Sequence, residues 1–322
     1  MKKILILCLL FVSALLISCK EKKNTKPSFD SSPIAQAIKQ ETKPITKEQL
    51  DRIPETYRVS VENGGTIEHI TYKTKNYFGD GEAYEKKANV YLPAGYNKDD
   101  SSKKYKVLYL MHGIGGDENE WGMTDDKSTV KKIMDNLTVK GDIEPFIIVT
   151  PNGRAGFDKD SNNAYLAFYK FGEELRNDLI PYMDSHYNTS ADRDHRAMAG
   201  LSMGGMQTIN IGICECLDLI SWFGAFSAAP TSYEANKVAN TLNQNESLPI
   251  HYFYNICGKD DSIAYASHAA AAKLLPRLTD KLEEGRNYRW QEQGGGHDFG
   301  IWNLGFYNFA KILGGANEKT SL

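Results

Sequence analysis

One pentapeptide combines residue types that suit covalent catalysis. Gly200-Leu201-Ser202-Met203-Gly204 has the G-x-S-x-G pattern, and it lies between a short apolar stretch and a segment of helical character. In that context the small residues allow a tight strand-to-helix turn that presents a serine hydroxyl to solvent. The flanking glycines let other backbone approach closely on both sides. The pattern therefore predicts Ser202 as a nucleophile.

A serine hydroxyl needs a general base to accept its proton. In the chain order Ser, acid, His that is typical of this turn, three histidines follow Ser202. His251 begins a predicted strand and His268 lies within a predicted helix, so we expect packing or surface roles for both. His297 follows a run of three glycines after a predicted strand. Such a loop can carry an imidazole back over the serine, and we predict His297 as the base.

The base in turn needs a carboxylate that orients it and stabilises its cation. Asp260 and Asp261 both follow the predicted strand Ile250–Ile256, on a turn that lies between Ser202 and His297 in the chain. Residue type and spacing leave both aspartates open. Asp298, next to the histidine, is in the wrong place for this role.

Two backbone N–H groups are expected to stabilise an oxyanion. One is the N–H of Met203, directly after the nucleophile. The other should come from the loop after an earlier strand, where residues 112–116 read H-G-I-G-G. We predict the N–H of Ile114, with that of Gly113 as a close alternative, and expect His112 to support the loop.

The elements that must position these groups alternate between strands and helices. Buried parallel strands appear as short, nearly continuous apolar runs, whereas edge strands alternate polar and apolar residues. The pattern predicts an α/β protein with a mostly parallel central sheet, antiparallel strands at its start and helices on both faces. The predicted strands are Tyr57–Val61, Thr66–Thr74, Ala88–Leu92, Val107–Met111, Phe146–Thr150, Arg196–Ala199, Ile220–Phe226, Ile250–Ile256 and Tyr288–Gln291. The predicted helices are Ser128–Lys140, Phe171–Ser185, Met203–Cys214, Ala264–Glu284 and Leu304–Leu313.

Composition excludes several other classes of function. The 322 residues carry 38 Lys and Arg against 41 Asp and Glu, a net charge of -3, which gives no positive excess to hold nucleic acid. Of the five cysteines, Cys214, Cys216 and Cys257 lie in the body of the chain. Their spacing does not suit a zinc site, so we predict no metal and expect three idle or buried thiols.

The first 18 residues predict an export signal. Two lysines precede an apolar run of about 14 residues, which is shorter than the ~20 residues of a membrane span. The run ends Leu16-Ile17-Ser18-Cys19, which resembles the bacterial lipoprotein box and predicts Cys19 as a lipidation site. The alternative is an ordinary secretory signal. Residues 19–55, polar and interrupted by prolines, are predicted as the lipidated cysteine and a tether, and residues 56–322 as the folded domain.

Taken together, these stretches resemble carbohydrate esterase family one, the feruloyl and acetyl xylan esterases of the esterase D-like group. The resemblance rests on five groups of residues and covers about residues 65–315. They are residues 112–121 (HGIGGDENEW), 147–152 (IIVTPN), 192–205 (DRDHRAMAGLSMGG), 258–262 (GKDDS) and 294–299 (GGGHDF) with Trp302. The chain looks most similar to the feruloyl esterase modules of bacterial xylanases.

This resemblance implies an α/β-hydrolase fold without a cofactor, and an esterase that removes feruloyl or acetyl groups from xylan or xylo-oligosaccharides. It also favours Asp261 as the acid, because in those modules the acid directly precedes the serine of the G-x-x-D-S turn. The stretch Gly153–Tyr169 departs from the family pattern and should lie on the active-site face. The aromatic candidates for substrate contact are Trp121, Tyr165, Phe168 and Trp302.

Other hypotheses fit parts of the pattern. The same machinery could act on another ester, as in the siderophore esterases and mycolyl transferases of the wider group. A third hypothesis is a non-catalytic glycan-binding lipoprotein of the same fold. For the leading hypothesis, the partners are a xylan substrate and, through Cys19, a bacterial membrane. The expected location is then the outer membrane, on its periplasmic or cell-surface side. Oligomeric state is not predicted.

Overall fold

The computed structural model describes residues 51–157 and 164–315. The predicted signal at 1–18, Cys19 and most of the predicted tether therefore lie outside the described residues. The packed body begins slightly before the predicted boundary, because Ile53 is buried in a hydrophobic cluster of the domain. Within the described ranges, no helix combines the length and the apolar character that crossing a membrane requires.

Eight strands form one sheet at the centre of the fold. The spatial order is β1-β2-β4-β3-β5-β6-β7-β8; β1 pairs with β2 and β2 with β4 in antiparallel fashion, and the other neighbours are parallel. This confirms the mostly parallel sheet with antiparallel strands at its start. The strands are β1 (Thr66–Lys75), β2 (Ala83–Leu92), β3 (Val107–Met111), β4 (Ile147–Pro151), β5 (Arg196–Leu201), β6 (Trp222–Phe226), β7 (Tyr252–Gly258) and β8 (Tyr288–Gln293).

Helices cover both faces of this sheet. They are α1 (Thr129–Val139), α2 (Phe171–Glu174), α3 (Ile180–His186), α4 (Met203–Gln207), α5 (Ala235–Gln244), α6 (Tyr265–Leu274) and α7 (Phe299–Leu313). A π-helical turn, Leu175–Leu179, joins α2 to α3, and a second, Thr208–Ile213, extends α4. The predicted helices Phe171–Ser185 and Met203–Cys214 therefore exist, but each is interrupted in its hydrogen-bond pattern.

The two faces of the sheet bury separate hydrophobic clusters. Along β3, Val107 and Tyr109 belong to one cluster, while Leu108 and Leu110 belong to the other. Successive side chains of a strand point to opposite faces, and both faces here are apolar because both are covered. Helices α2, α3 and α5 pack on the first face, and α1 and α7 pack on the second. This layering holds the carboxyl ends of the parallel strands at one edge.

Four predicted elements differ from the structure by more than two residues, and helix α5 (Ala235–Gln244) was not predicted. β2 begins at Ala83, five residues before its predicted start at Ala88. Tyr57–Val61 is not a strand: Glu55–Tyr57 forms a 3-10 turn, and the Tyr57 hydroxyl donates to Asp142 at 2.5 Å. The helix predicted over Ala264–Glu284 ends at Leu274, because Pro276 lies in the 3-10 turn that follows and cannot continue the pattern. The last helix begins at Phe299, five residues earlier than predicted, because the Asp298 carboxylate caps it by accepting from the Gly300 N–H at 2.8 Å.

Candidate active site

Ser202 lies on the turn between β5 and α4, where the sequence predicted it. Its backbone has φ 50° and ψ -113°, an uncommon conformation for a residue with a side chain. The glycines on either side make this turn possible. A Cβ on Gly200 would lie 2.7 Å from the backbone of Gly204, and a Cβ on Gly204 would lie 2.5 Å from the carbonyl oxygen of Met111.

Backbone hydrogen bonds hold this unusual conformation in place. The Ser202 N–H donates to the carbonyl of Phe226, at the end of β6, at 3.0 Å. The Ser202 carbonyl accepts from the N–H groups of Met206 and Ala229, both at 3.0 Å. The serine backbone is thus fixed by α4 on one side and by the segment after β6 on the other. Strain that is held in this way is typical of functional positions.

Asp261 and His297 meet through a direct hydrogen bond. The Nδ1 atom of His297 lies 2.7 Å from Oδ2 of Asp261, and the carboxylate is almost completely buried. The other carboxylate oxygen, Oδ1, accepts from the N–H groups of Ile263 at 3.0 Å and Ala264 at 2.8 Å. Both oxygens of the buried carboxylate are therefore satisfied, and its orientation toward the imidazole is fixed.

These contacts keep the Asp261 carboxylate charged. Burial by itself would raise its pKa, but the hydrogen bond from the Ala264 N–H and the contact with His297 outweigh burial, so the pKa lies below the usual value. The Cys257 thiol also lies 3.6 Å from Oδ2. An ionised carboxylate beside Nδ1 places the imidazole proton on Nδ1 and leaves Nε2 free to accept a proton.

Asp260, the alternative acid, has a different role. Its carboxylate accepts from the N–H of Gly295 at 3.3 Å, and its own N–H donates to the Gly295 carbonyl at 3.0 Å. Asp260 therefore fixes the glycine run that precedes His297 and does not contact the imidazole. The loops after β7 and β8 also pack closely, since a Cβ on Gly258 would lie 2.2 Å from the Gly295 carbonyl oxygen.

Ser202, Asp261 and His297 all lie at the carboxyl edge of the sheet. Ser202 follows β5, Asp261 follows β7 and His297 follows β8. Because β5, β6, β7 and β8 are adjacent and parallel, their carboxyl ends share this edge. That is where open α/β sheets bind their ligands. Of the other histidines, His268 is buried, as expected for a packing residue, and burial lowers its pKa to about 3.

In the loop after β3, hydrogen bonding distinguishes the two candidate oxyanion donors, the N–H groups of Gly113 and Ile114. The Gly113 N–H donates to the Glu120 carboxylate at 2.5 Å and is therefore already engaged. Within residues 51–157 and 164–315, the Ile114 N–H donates to no acceptor. The Met203 N–H stands at the first position of α4, where a helix leaves its N–H groups without an intrahelical partner. Ile114 and Met203 are therefore the groups available to an oxyanion.

His112 supports this loop as predicted. Its Nδ1 atom lies 2.7 Å from the Gly113 carbonyl oxygen, and its Nε2 atom accepts from the Gly153 N–H at 2.8 Å. Burial lowers its pKa to about 4, so the ring is neutral at neutral pH, with its proton on Nδ1. The Gly113 carbonyl and the Ile114 N–H belong to one peptide group and point in opposite directions. Holding the carbonyl therefore fixes the direction of the N–H.

Arg154 also stabilises the loop of residues 112–116 through hydrogen bonds to its carbonyl groups. Its guanidinium donates to the Gly116 carbonyl at 2.8 Å and to the Ile114 carbonyl, and it lies over the Phe168 ring at 4.7 Å from the centroid. The Arg154 carbonyl accepts from the buried Lys86 ammonium at 2.6 Å. Arg154 belongs to the stretch that departs from the family pattern, and its contacts place the start of that stretch at the active-site face, as expected. Neither Arg154 nor Glu120 was predicted as a site residue.

The four aromatic candidates for substrate contact divide by exposure. Trp121 and Phe168 are covered by protein: the Trp121 indole N–H donates to the Met111 carbonyl at 3.0 Å, and Phe168 has no exposed surface. A stacking role for Phe168 is therefore corrected to a supporting one, whereas Trp121 also borders a surface cavity and its contact with a ligand stays a prediction. Tyr165 is 44% exposed and stays available to a ligand. Trp302 is 8% exposed and packs edge-on against His297, with ring centroids 5.1 Å apart.

The remaining cysteines are free thiols. Cys216 and Cys257 are buried and Cys214 is partly buried. Burial raises the pKa of Cys216 and Cys257 to about 12 and that of Cys214 to about 11, which leaves all three as unreactive thiols at neutral pH. In the part of the chain that the structure describes, no three His, Cys, Asp or Glu side chains form a group that could hold a metal ion.

Comparisons with known proteins agree with this geometry. A sequence model for a family described as putative esterase matches residues 83–309. Endo-1,4-beta-xylanase Y of Acetivibrio thermocellus is 31% identical over 293 residues, which cover 84% of this chain and 25% of that protein. An endo-1,4-beta-xylanase/feruloyl esterase of Xylanibacter ruminicola is 39% identical over 154 residues, covering 47% of this chain and 20% of that protein. The chain thus matches a quarter or less of the length of these two curated relatives.

A solved structure is similar over most of both chains. The CE1 ferulic acid esterase of Anaeromyces mucronatus, in complex with ferulic acid, superimposes with a TM-score of 0.67 at 28% identity. The match covers 82% of this chain and 97% of that chain. The sheet order and the serine on its strand-to-helix turn define an α/β-hydrolase. Within that class, the match over residues 83–309 shows that the chain belongs to the putative esterase family. The predicted resemblance to carbohydrate esterase family one is confirmed.

Proposed function

We propose that the chain is a serine carboxylic ester hydrolase that removes feruloyl or acetyl groups from xylan or xylo-oligosaccharides. The observation that carries the proposal is the 2.7 Å hydrogen bond between Asp261 and His297, at the sheet edge where Ser202 is held on a strained turn. A nucleophile, a base and an orienting acid at one edge are the parts that acyl transfer through a serine requires.

In the first step, the Ser202 hydroxyl attacks the ester carbonyl and His297 takes its proton. Asp261 stabilises the imidazolium that forms, and its ionised state suits that task. The tetrahedral oxyanion accepts hydrogen bonds from the N–H groups of Ile114 and Met203. His297 then gives the proton to the departing sugar oxygen, which leaves the acyl group on Ser202.

In the second step, water completes the reaction. His297 takes a proton from the water, whose oxygen attacks the acyl carbon, and the same two N–H groups stabilise the second oxyanion. Collapse of that intermediate releases the acid, and His297 returns the proton to Ser202.

The choice of substrate rests on the relatives and on exposed aromatic surface. The name of the Xylanibacter ruminicola relative joins xylanase and feruloyl esterase, and that of the Acetivibrio thermocellus relative gives xylanase. The structural neighbour is a ferulic acid esterase in complex with ferulic acid. Tyr165 offers an exposed ring on the segment that follows β4, and Trp302 lies beside His297. Either ring could stack on a hydroxycinnamoyl group or a sugar.

We also propose that the protein is an exported lipoprotein, anchored to a bacterial membrane through Cys19. The support is the sequence alone: an apolar run that ends at the cysteine, followed by a polar stretch of the length of a tether. Two or more acyl chains give stable anchoring. Mass spectrometry of the membrane fraction should find a lipid on Cys19, and secretion of an unlipidated protein would contradict the anchor.

The direct test of activity uses residues 20–322 with feruloylated arabinoxylan and acetylated xylan as separate substrates. Release of ferulate or acetate is measured against a Ser202→Ala control. We expect the substitution to abolish turnover while the fold, followed by circular dichroism, stays intact. Unchanged turnover in Ser202→Ala would refute the assignment of the nucleophile. Cleavage of a simple aryl acetate without release from either xylan would refute the xylan substrate.

A further inference from the structure

A cavity of about 460 Å³ lies beside the candidate active site. It is bounded by the segment after the oxyanion loop and by the first turn of α7. Its lining is mixed: carboxylates, hydroxyls, a lysine and an amide stand beside aromatic rings. The residues that matter for its chemistry are Glu120, Trp121, Thr124, Asp125, Phe299 and Asn303.

One wall of the cavity reaches the nucleophile through the oxyanion loop. Glu120 lines the cavity and also accepts the Gly113 N–H. A Cβ built on Gly113 would lie 3.5 Å from the Glu120 Oε2 atom and 3.5 Å from the Ser202 Cβ atom. Gly113 therefore lies close to both the Glu120 carboxylate and the nucleophile.

The opposite wall reaches the general base. The Phe299 ring lines the cavity and contacts the Trp302 ring edge-on, with centroids 4.9 Å apart. Trp302 in turn packs edge-on against the His297 imidazole at 5.1 Å. Two successive ring contacts thus connect the cavity to His297, and the cavity is on the side of the general base without being lined by the reacting groups themselves.

In ester hydrolysis, the part of the substrate that lies on the side of the general base is the departing alcohol. The base returns its proton to the oxygen of the departing alcohol, so the alcohol part of the ester must lie next to the imidazole. The acyl part extends away from that oxygen, on the other side of the carbonyl carbon. A cavity on the His297 side is therefore positioned for the alcohol.

The lining suits a sugar alcohol. Within the described ranges, 51–157 and 164–315, the Asn303 side-chain amide makes no hydrogen bond, so both its donors and its acceptor are available. Thr124 and Asp125 are exposed on the opposite rim. The Phe299 ring is 37% exposed and offers an apolar surface to the C–H face of a pyranose or furanose ring.

We propose that this cavity binds the sugar part of the ester, a pentose or short pentose oligosaccharide, and that Asn303 and Phe299 determine specificity for it. The inference rests on the proposed esterase activity and adds to it the place and the chemistry of the leaving group. Neither residue touches the reacting atoms, so each acts on recognition of the alcohol and not on the chemical step.

The test compares two substrates that share an acyl group. Feruloylated arabinoxylo-oligosaccharide carries the sugar, and methyl ferulate does not. We expect Asn303→Ala in the full chain to lower kcat/KM for the oligosaccharide ester about tenfold, mostly through KM, and to leave kcat/KM for methyl ferulate unchanged. Phe299→Ala should shift the ratio of the two substrates in the same direction. Equal losses on both substrates, or no loss on either, would overturn the inference while leaving the esterase activity intact.

Asn236→Ala is the matched control. Asn236 is exposed on α5 and borders a different cavity of about 370 Å³, on the opposite face of the sheet. We expect this variant to behave as the wild type on both substrates. A selective loss on the oligosaccharide ester in Asn236→Ala, but not in Asn303→Ala, would move the sugar site to that cavity and overturn the inference.

A binding measurement separates failure of this inference from failure of the proposed function. If the wild type releases neither ferulate from these two substrates nor acetate from acetylated xylan, the proposed activity is wrong. Calorimetric titration with unesterified arabinoxylo-oligosaccharide then decides on the cavity alone. Binding that Asn303→Ala weakens about tenfold would support the sugar site, and binding that is absent or insensitive to Asn303→Ala would overturn it.

Discussion

His112 provides the sharpest test of how the oxyanion loop is held, because two substitutions separate its two hydrogen bonds. His112→Asn keeps a donor where Nδ1 faces the Gly113 carbonyl and loses the acceptor for the Gly153 N–H. His112→Gln does the reverse, since its amide reaches the position of Nε2. Both contacts are short, 2.7 Å and 2.8 Å, and the ring is buried. The two variants therefore remove one bond each from the same buried site.

The two bonds should contribute differently to catalysis. Removing an oxyanion donor outright lowers kcat by about 100- to 1000-fold. His112→Gln leaves the Ile114 N–H present but removes the shorter of two hydrogen bonds to the Gly113 carbonyl, which, among the described residues, keeps only the one from the Gly116 N–H at 3.2 Å. We therefore expect a fall in kcat of about 10- to 100-fold with little change in KM. His112→Asn still holds the Gly113 carbonyl and should keep most of its kcat. His112→Asn leaves the Gly153 N–H unpaired and should lose about 1–3 kcal/mol of unfolding free energy, whereas His112→Gln should lose less because the Gly113 carbonyl keeps the bond from the Gly116 N–H.

The assay measures kcat and KM on methyl ferulate and the free energy of unfolding in urea, for the wild type and both variants. Equal kcat values for His112→Asn and His112→Gln would refute the reasoning. In that case the bond to the Gly113 carbonyl would affect stability alone, and the orientation of the Ile114 N–H would depend on other contacts.

The same histidine makes stability depend on pH. Its pKa of about 4 in the folded chain is below the ~6.5 of an unfolded histidine. Between these values the unfolded chain binds a proton that the folded chain does not. The contribution is therefore complete above pH 6.5 and is lost as the pH falls toward 4, by about 3 kcal/mol in all. Urea unfolding from pH 7 to pH 4 should show a shallower loss in both variants than in the wild type. His268, whose pKa is about 3, keeps its own share of the slope in every variant.

Two further predictions concern the turn and the acid. Asp261→Asn should lower kcat on methyl ferulate about 10,000-fold with the fold intact. The reason is that a neutral amide no longer holds the proton on Nδ1 of His297 or stabilises the imidazolium. Substantial remaining turnover would contradict the role of the acid. Gly204→Ala should abolish folding or activity, because the added Cβ would lie 2.5 Å from the Met111 carbonyl oxygen. Gly115→Ala is the control, since its Cβ meets no atom within 4 Å. Soluble yield and melting temperature measure the difference, and similar values for the two alanine variants would count against the close approach at Gly204.

The sequence predicted the parallel core of this fold because its signals are local. Runs such as Val107–Met111 are apolar at every position, and such a run requires cover on both faces. The Gly residues around Ser202 mark the turn for a similar reason, since only a residue without Cβ fits there. The strand predicted over Tyr57–Val61 was wrong because alternation of polar and apolar residues is not unique to strands. Here Tyr57 ends a 3-10 turn and its hydroxyl donates to Asp142. The early start of α7 carried a readable signal, since Asp298 is a capping residue type.

The supports of the site could not be read in this way because they join residues that are distant in the chain. Asp261 and His297 were found through motif and order, but the pairing of Asp260 with Gly295 depends on how two loops pack. Arg154 contacts the oxyanion loop from about 40 positions away. The covered state of Phe168 follows from that same contact, because the guanidinium lies over its ring. No local sequence pattern predicts contacts between residues that are so distant in the chain.

The oxyanion loop shows how the fold selects between neighbouring groups of equal chemistry. Gly113 and Ile114 each offer one N–H, and sequence reasoning left them as close alternatives. Glu120 removes the first from competition by accepting its hydrogen bond, while His112 holds the carbonyl of the peptide group that carries the second. In a neutral imidazole that donates through Nδ1, the other nitrogen is an acceptor, and the Gly153 N–H pairs with it and so favours this tautomer. The direction of one catalytic donor is thus set by residues from three separate segments, and substitutions at Glu120 or His112 should alter kcat although neither side chain needs to touch the substrate.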